Sequence, residues 1–108
     1  MPDGDERMRQ SARVDANHAD VMAELRKRGI AAKSTAPMGK GFPDIIAAFR
    51  GVTVLLEVKD GSKPPSERAL TVLEAEFIAT WPGKVYVVTS PEEAVDVVVE
   101  AARPGRGA

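Results

Sequence analysis

Two apolar runs separated by a single Arg-Gly dipeptide constrain the fold of this chain most. DIIAAF ends at Phe49, and VTVLLEV begins at Val52. Runs rich in apolar and β-branched residues predict strands, and a two-residue connection that contains Gly predicts a tight antiparallel hairpin. If Phe49 pairs with Val52, counting outward along both strands places Asp44 directly opposite Glu57.

Helical and strand patterns alternate in the rest of the chain. Apolar residues at helical spacing before Gly29 predict a first helix, and IAAKST predicts a short strand. SERALTVLEAEFIATW predicts a second helix with Ser66 as its N-cap, KVYVVTS predicts a strand, and PEEAVDVVVEAA predicts a last helix that opens at Pro91. The predicted order is therefore αβββαβα, which is an α/β fold with a mixed central sheet flanked by helices.

Length and composition indicate one small domain. The chain has 108 residues, of which 44% are hydrophobic and 29% are charged, as is ordinary for a globular protein. We expect a single domain over residues 13–102, with disordered polar tails at 1–12 and 103–108. No cysteine is present, which excludes disulfides, thiolate metal sites and a cysteine nucleophile. Without a signal-peptide pattern or a long apolar run, we expect a soluble, cytoplasmic protein with no membrane contact.

Charge is unevenly distributed, although the net charge is only −1. Residues 26–68 contain nine Lys or Arg and four acids, whereas residues 69–102 contain one Lys and six acids. A basic face opposite an acidic face would produce this asymmetry and would suit a polyanionic partner. Solvated charge on scattered surfaces explains it equally well.

The hairpin register brings two carboxylates together near an apolar sheet. Glu57 and Lys59 share one face of their strand about 7 Å apart, and Asp44 lies across from Glu57. Opposed carboxylates need a shared proton or a cation between them, and Mg²⁺ is the simplest cation. Such a set suits phosphodiester hydrolysis, in which the lysine orients water or neutralises charge on phosphate. An ion pair between Glu57 and Lys59, with Asp44 capping a turn, is an equally supported alternative.

The residues around this hairpin resemble a known nuclease motif. GFPDIIAAFRGVTVLLEVKDG contains PD, a hairpin and EVK, and it resembles the PD-(D/E)xK motif. EVKDGSKPPSERALT, followed by WPGKVYVVTSPEEA, resembles the phage and bacterial VRR-NUC branch, over roughly residues 13–100. The resemblance implies the restriction-endonuclease-like fold, with Asp44 and Glu57 as metal-binding acids. It also implies the Val58 backbone carbonyl as a further ligand and Lys59 as the catalytic lysine.

The same resemblance implies a function on DNA. The family includes structure-selective nucleases of replication, repair and recombination, among them Holliday-junction resolvases, which usually work as homodimers. We therefore expect an Mg²⁺- or Mn²⁺-dependent endodeoxyribonuclease that acts on branched or structured DNA, such as a Holliday junction or a flap, as a homodimer. The alternatives are a catalytically weak or inactive DNA-binding module that retains the nuclease fold, and a plain structural subunit.

Two positions depart from the pattern of the family. Relatives often carry an acid or a Gln on the first helix. Here His18 lies at the centre of the apolar stripe and is the candidate for that role, with a packed core residue as the alternative. Asp15 is a second choice, and Asp20 lies on the opposite side. Relatives also carry a Gln on the helix after the ExK strand, where this chain has Ala75, so a contact to DNA is expected to be missing.

Polar residues in loops and at element ends are candidates for phosphate contacts, which position a substrate without reading its sequence. Ordinary surface solubility explains each of them equally well. The few aromatic residues fall mostly at core-like positions, which argues against a platform for stacking single-stranded bases and favours recognition of backbone and shape. The candidates for nucleic-acid contacts are Lys33, Ser34, Lys40, Lys63 and Arg68.

Overall fold

The chain folds as a four-stranded mixed sheet with helices, which confirms the predicted α/β class. The fold is taken from a computed structural model, and the structure describes residues 16–104. In this part of the chain the helices are α1 (Ala16–Lys27), α2 (Val72–Thr80) and α3 (Pro91–Ala101). The strands are β1 (Ala31–Ser34), β2 (Ile45–Phe49), β3 (Val52–Val58) and β4 (Val85–Val88). Short 3₁₀ turns span Ala36–Met38 and Pro65–Glu67.

The strands lie in the order β1-β2-β3-β4. β2 is antiparallel to both β1 and β3, whereas β3 and β4 are parallel and are connected through α2. Phe49 pairs with Val52, as predicted. Arg50 and Gly51 both have positive φ, 52° and 81°, which is the type I′ geometry that suits the twist of a two-residue hairpin. The register that the sequence predicts for the hairpin is confirmed.

One face of the sheet carries the hydrophobic core, and we call it the helix face. It packs against α1 and α3, which contribute side chains such as Val21, Leu25 and Val98. Complete burial of a side chain of this size stabilises the fold by about 1.5 to 3 kcal/mol. The helix-face residues are Ala32, Ile45, Ala47, Val54, Leu56, Val58 and Val88.

The opposite face of the sheet, which we call the site face, is covered less completely. By strand alternation it carries Ile46, Leu55, Glu57 and Val87. Leu55 and Glu57 are buried, but Ile46 and Val87 are 36% and 38% exposed. None of the α2 residues is buried. The two faces therefore differ in how they are covered, and the predicted site lies on the less covered one.

The second helix begins later in the chain than predicted. Ser66 lies in the 3₁₀ turn Pro65–Glu67, and the N-cap of α2 is Thr71. The Thr71 hydroxyl accepts a hydrogen bond from the Glu74 amide at 3.2 Å, and the Glu74 carboxylate accepts one from the Thr71 amide at 2.9 Å. This reciprocal capping box satisfies the free amides of the first turn. The prediction that Ser66 caps the helix was wrong because Thr71 and Glu74 provide the stronger start signal.

The loop before β2 lies against the first turn of α2. Gly41 has φ 85°, and a Cβ there would lie 2.6 Å from the carbonyl oxygen of Leu73. Only glycine permits this approach of two backbones. The next residue, Phe42, packs edge-on against Phe77 with ring centroids 5.1 Å apart. The loop and an aromatic contact therefore hold α2 beside the predicted site.

The prediction that aromatic residues lie at core positions was wrong for Trp81. Its side chain is 42% exposed, while Phe42, Phe49, Phe77 and Tyr86 are half-buried. The reason is the position of Trp81 after the last turn of α2, a helix that contributes no residue to the core.

The predicted bounds of the domain, at residues 13 and 102, stay predictions. Residues 1–15 and 105–108 lie outside the described residues, and with them most of both predicted tails. Arg103 lies within the predicted C-terminal tail, and its guanidinium pairs with Glu100 at 3.0 Å. Within residues 16–104, no helix combines the length and the apolar character that crossing a membrane requires.

Candidate active site

Asp44 is held just before β2 by hydrogen bonds to both neighbouring strands. Its amide donates to the Leu56 carbonyl at 2.9 Å, and its carbonyl accepts from the Thr35 amide at 2.7 Å. Its carboxylate Oδ2 accepts from the Val58 amide at 2.8 Å. These bonds continue the register in which Ile45 pairs with Leu56. Asp44 therefore lies opposite Glu57, the position that the hairpin predicts.

Glu57 is an almost completely buried acid, with 3% of its surface exposed. Burial, followed by the negative charges of Asp44 and Glu74, raises the pKa of Glu57 to about 9. Burial also raises the pKa of Asp44, against hydrogen bonds from the Val58 amide and Glu57. At neutral pH the Glu57 carboxyl therefore holds a proton. A cation between Asp44 and Glu57 would replace that proton and remove the repulsion between them.

Lys59 connects the strand to α2. Its ammonium Nζ lies 3.6 Å from Glu57 Oε2 and 2.8 Å from Glu74 Oε1. Burial lowers the pKa of Lys59, but the hydrogen bond and charge of Glu74, with the charges of Glu57 and Asp44, raise it overall. The lysine is therefore an ammonium ion at neutral pH. The contact between Lys59 and Glu57 considered from the sequence is present, but Glu57 is protonated at neutral pH, so the ion pair of Lys59 is the shorter one with Glu74.

The sequence did not identify Glu74 as a member of this cluster. Burial alone would raise the pKa of Glu74, but the hydrogen bonds from Lys59 and from the Thr71 amide lower it overall. The same oxygen, Oε1, accepts both of these hydrogen bonds. The signal that could have found it is the T-x-x-E capping box, which fixes the direction of the glutamate side chain. Ala75, which occupies the place of the expected Gln, is its exposed neighbour.

His18 is buried beneath Asp44 and reaches its main chain. The side chain is 7% exposed, with Nε2 at 3.3 Å from Ser34 Oγ and at 3.4 Å from the Asp44 carbonyl oxygen. The predicted stripe is confirmed within the described residues, since Val21 and Leu25 are fully buried and Asp20 is exposed. Asp15 lies outside the described residues. His18 thus supports the backbone of Asp44, and its role as the first-helix site residue stays a prediction.

Asn17 is a second residue that sequence reasoning missed. Its side-chain Nδ2 donates to the carbonyl of Lys59 at 2.8 Å and to the carbonyl of Thr89 at 3.2 Å. These two carbonyls follow β3 and β4, so Asn17 ties α1 to the ends of both parallel strands. No local pattern could have found it, because its partners are distant in the chain.

The candidates for phosphate contacts lie on three parts of the surface. Two belong to β1, one lies in the glycine-flanked turn before β2, and two follow β3. Lys33 shares the site face, because its pairing partner is Ile46. The Arg68 guanidinium donates to the Lys63 carbonyl at 2.9 Å. Arg68 is half-buried and the other four are exposed: Lys33, Ser34, Lys40 and Lys63.

The carboxylate pair fits a hard divalent cation. Within residues 16–104, no three His, Cys, Asp or Glu side chains are close enough together to hold a metal ion by themselves. Mg²⁺, however, is commonly bound by one or two carboxylates, with water and substrate phosphate as the remaining ligands. Asp44 and Glu57 supply such oxygens, and the neighbouring negative charges of Asp44 and Glu74, which after burial raise the pKa of Glu57, are ones that a cation would compensate. The Val58 carbonyl as a further ligand stays a prediction.

A surface groove of about 780 Å³ lies elsewhere, between β4 and α3. Tyr86, Val95 and Val99 are among the residues that line it, and it contains none of the predicted site residues. We therefore place the candidate site at the carboxylates and not in this groove.

Comparison with known proteins finds no matching family model, no matching curated protein and no matching solved structure. The resemblance of the PD and EVK segments to a nuclease motif therefore stays a prediction. Function has to be argued from the geometry and chemistry of the site.

Proposed function

We propose that this protein is a metal-dependent nuclease that hydrolyses DNA phosphodiester bonds at Asp44, Glu57 and Lys59. The observation that carries this proposal is the opposition of Asp44 to a buried Glu57, with the Lys59 ammonium 3.6 Å from the Glu57 carboxylate. Two acids and one cation in this arrangement are costly for stability and are expected at sites that bind a divalent cation and a phosphate.

Each side chain has a role that follows from its position. Asp44 and Glu57 would hold Mg²⁺ or Mn²⁺, which when bound polarises a phosphoryl oxygen and lowers the pKa of water. Glu57 would have to release its proton to solvent before its carboxylate could bind the cation. Lys59, a charged ammonium at neutral pH, neutralises the charge that develops on phosphate or orients the attacking water. His18 and the amide of Val58 keep Asp44 in place.

The substrate class and the assembly are part of the proposal. The resemblance of GFPDIIAAF and EVKDG to the nuclease motif supports branched or structured DNA as the substrate and a homodimer as the assembly. Exposed lysines near the site, among them Lys33 on the site face and Lys40 in the turn against α2, support contacts with a phosphate backbone.

A catalytically weak DNA-binding module is the second candidate function. The observation that favours it is the 2.8 Å contact of Lys59 with Glu74, which occupies the lysine in this structure. Ala75 in the place of the expected Gln points the same way. In this case DNA binds through its charge, and no metal ion supports cleavage.

Cleavage assays separate the two functions. Labelled four-way junction, flap, duplex and single-stranded DNA are incubated with Mg²⁺ or Mn²⁺ and with the wild-type protein or the variants Asp44→Asn and Lys59→Ala. Each substitution is expected to lower the cleavage rate by about 10²-fold or more. Lys84→Ala is the matched control, because Lys84 lines the distant groove, and it should leave cleavage unchanged.

The outcomes are distinct. Cleavage that is lost in both site variants but retained in the control supports the nuclease. The DNA structure that is cut fastest then shows which kind of structure-selective nuclease it is. DNA binding by a folded wild-type protein without cleavage in either metal supports the binding module. If the folded protein has no affinity for DNA even at low salt, where binding to phosphates is strongest, both functions are contradicted.

A further inference from the structure

An exposed aromatic stack lies next to the acidic cluster. Phe77 follows Glu74 by one turn of α2, and Trp81 caps the C-terminal end of that helix. The rings of Phe77 and Trp81 are stacked, with centroids 4.9 Å apart and an angle of 20° between their planes. Phe42, two residues before Asp44, packs edge-on against Phe77. The stack therefore begins beside the site and ends at the surface.

Trp81 is only partly covered. Phe77 stacks on the indole and Phe42 lies edge-on to it at 6.5 Å, yet 42% of the residue surface is exposed. Gly83 approaches the indole edge, because a Cβ there would lie 2.8 Å from Trp81 Nε1. These contacts hold the ring in one orientation before any ligand binds. A held aromatic ring loses little conformational entropy when a flat partner stacks on it.

We propose that Trp81 stacks on the base of an unpaired nucleotide in the DNA substrate. This inference rests on the proposed function and deepens it, because it names the substrate class as DNA with unpaired nucleotides beside the cleaved phosphate. In a duplex both faces of an interior base are covered by its neighbours, so only an unpaired base can offer a face. Stacking of this kind tolerates every base.

The spacing and the charges fit such a strand. Trp81 lies seven positions after Glu74, which at the rise of a helix is about 10 Å, or about three stacked nucleotides at about 3.4 Å each. The exposed Lys40 lies in the turn that contacts α2, and its charge would suit a phosphate of such a strand. Glu76, the other acid of α2, points to a different side of the helix by its spacing from Phe77 and Trp81. A cation two residues before Phe42 of the aromatic stack favours a nucleic acid over a protein partner.

Intrinsic fluorescence tests the proposal directly, because Trp81 is the only tryptophan in the chain. The full chain is titrated in EDTA, so that no strand is cut, with a short oligothymidine. The control ligands are an abasic strand of equal length and a fully paired DNA duplex. Oligothymidine is expected to quench Trp81 emission. The abasic strand has the phosphates without the bases, and it should bind without this quenching.

Two variants measure the contribution of the ring. By fluorescence anisotropy of a labelled strand, Trp81→Leu should weaken the affinity for oligothymidine about tenfold or more. Trp81→Phe should retain part of the affinity, and the affinity for the fully paired duplex should not change in either variant. Val72→Ala is the matched control, since Val72 is 82% exposed on the same helix and should leave both affinities unchanged.

Several results would overturn the proposal. These are equal quenching by the abasic strand, no quenching, or an unchanged affinity of Trp81→Leu for oligothymidine. Blue-shifted emission with self-association in sedimentation would show that a second copy covers Trp81 instead. If Trp81→Leu does not fold, the comparison of ligands on the wild-type protein decides. Binding is measured without metal, so a protein that fails to cleave DNA could still show stacking on Trp81. Cleavage without quenching would contradict the stacking by Trp81 and leave the proposed nuclease function standing.

Discussion

Neighbouring residues of β3 show how differently the two faces of the sheet are stabilised. Leu56 on the helix face is 0% exposed, and Glu57 on the site face is 3% exposed. The burial of the leucine is favourable because it removes apolar surface from water. The burial of the glutamate is costly unless a proton or a cation compensates it. Equal burial therefore has opposite effects on the free energy of unfolding. Packing on the helix face stabilises the fold and offsets the cost of the buried acid on the site face.

The largest difference between the faces should appear on truncation of a buried side chain. Leu56→Ala is expected to lower the free energy of unfolding by about 2 to 5 kcal/mol, because it leaves a cavity in the core. Ile46→Ala is the matched change on the site face, where the side chain is 36% exposed, and it should cost much less. Urea denaturation measures both. Equal losses would show that the site face is as tightly packed as the helix face.

A divalent cation should stabilise the site face selectively. Mn²⁺ at about 100 times its dissociation constant is expected to raise the free energy of unfolding by about 2.7 kcal/mol. Asp44→Asn and Glu57→Gln should abolish this gain, which thermal unfolding with and without Mn²⁺ detects. Glu92→Gln is the control, because Glu92 is an exposed acid in the first turn of α3. A gain that survives both site substitutions would place the metal elsewhere.

Stability without metal should fall as the pH rises. Glu57 has a pKa of about 9 in the folded protein, against 4.5 as its ordinary value. Between these two pKa values the folded state retains a proton that the unfolded state has lost. The stabilisation from this proton is therefore complete below the pKa of the unfolded state and is lost as the pH rises through the pKa of the folded state. We expect a loss of about 2 to 3 kcal/mol between about pH 6 and pH 8.

Thermal unfolding in EDTA measures this dependence on pH. The pKa of Asp44 is also raised, so the titration of Asp44 also lowers stability as the pH rises. Glu57→Gln removes the group that titrates, so it should flatten the profile. An unchanged slope in that variant would contradict the assignment of the buried proton to Glu57.

The smallest expected effect compares two helix caps. Ser90 caps α3, with its hydroxyl accepting from the Glu93 amide at 3.1 Å, and Thr71 caps α2 in the same way. Loss of such a cap costs about 1 kcal/mol. Ser90→Ala should lower global stability, because α3 has buried residues. Thr71→Ala should mainly speed hydrogen exchange in α2. Equal effects on global stability would show that α2 folds as one unit with the core.

Local patterns predicted the parts of the fold that depend on neighbouring residues. The hairpin turn and its register followed from one dipeptide between two apolar runs, and the burial of His18 followed from helical spacing. The start of α2 was mistaken because two serine or threonine caps compete in the same segment. The exposed position of Trp81 could not be predicted, because exposure depends on whether other elements cover the helix end.

By itself, the sequence determined the α/β class, the hairpin and the opposition of Asp44 to Glu57, because strand alternation and turn length act over a few residues. Only the tertiary structure decided which distant groups complete the site. Glu74 reaches Lys59 from α2, and Asn17 reaches the Lys59 carbonyl from α1. The physical reason is that the packing of helices on a sheet sets these distances, and no spacing along the chain records it.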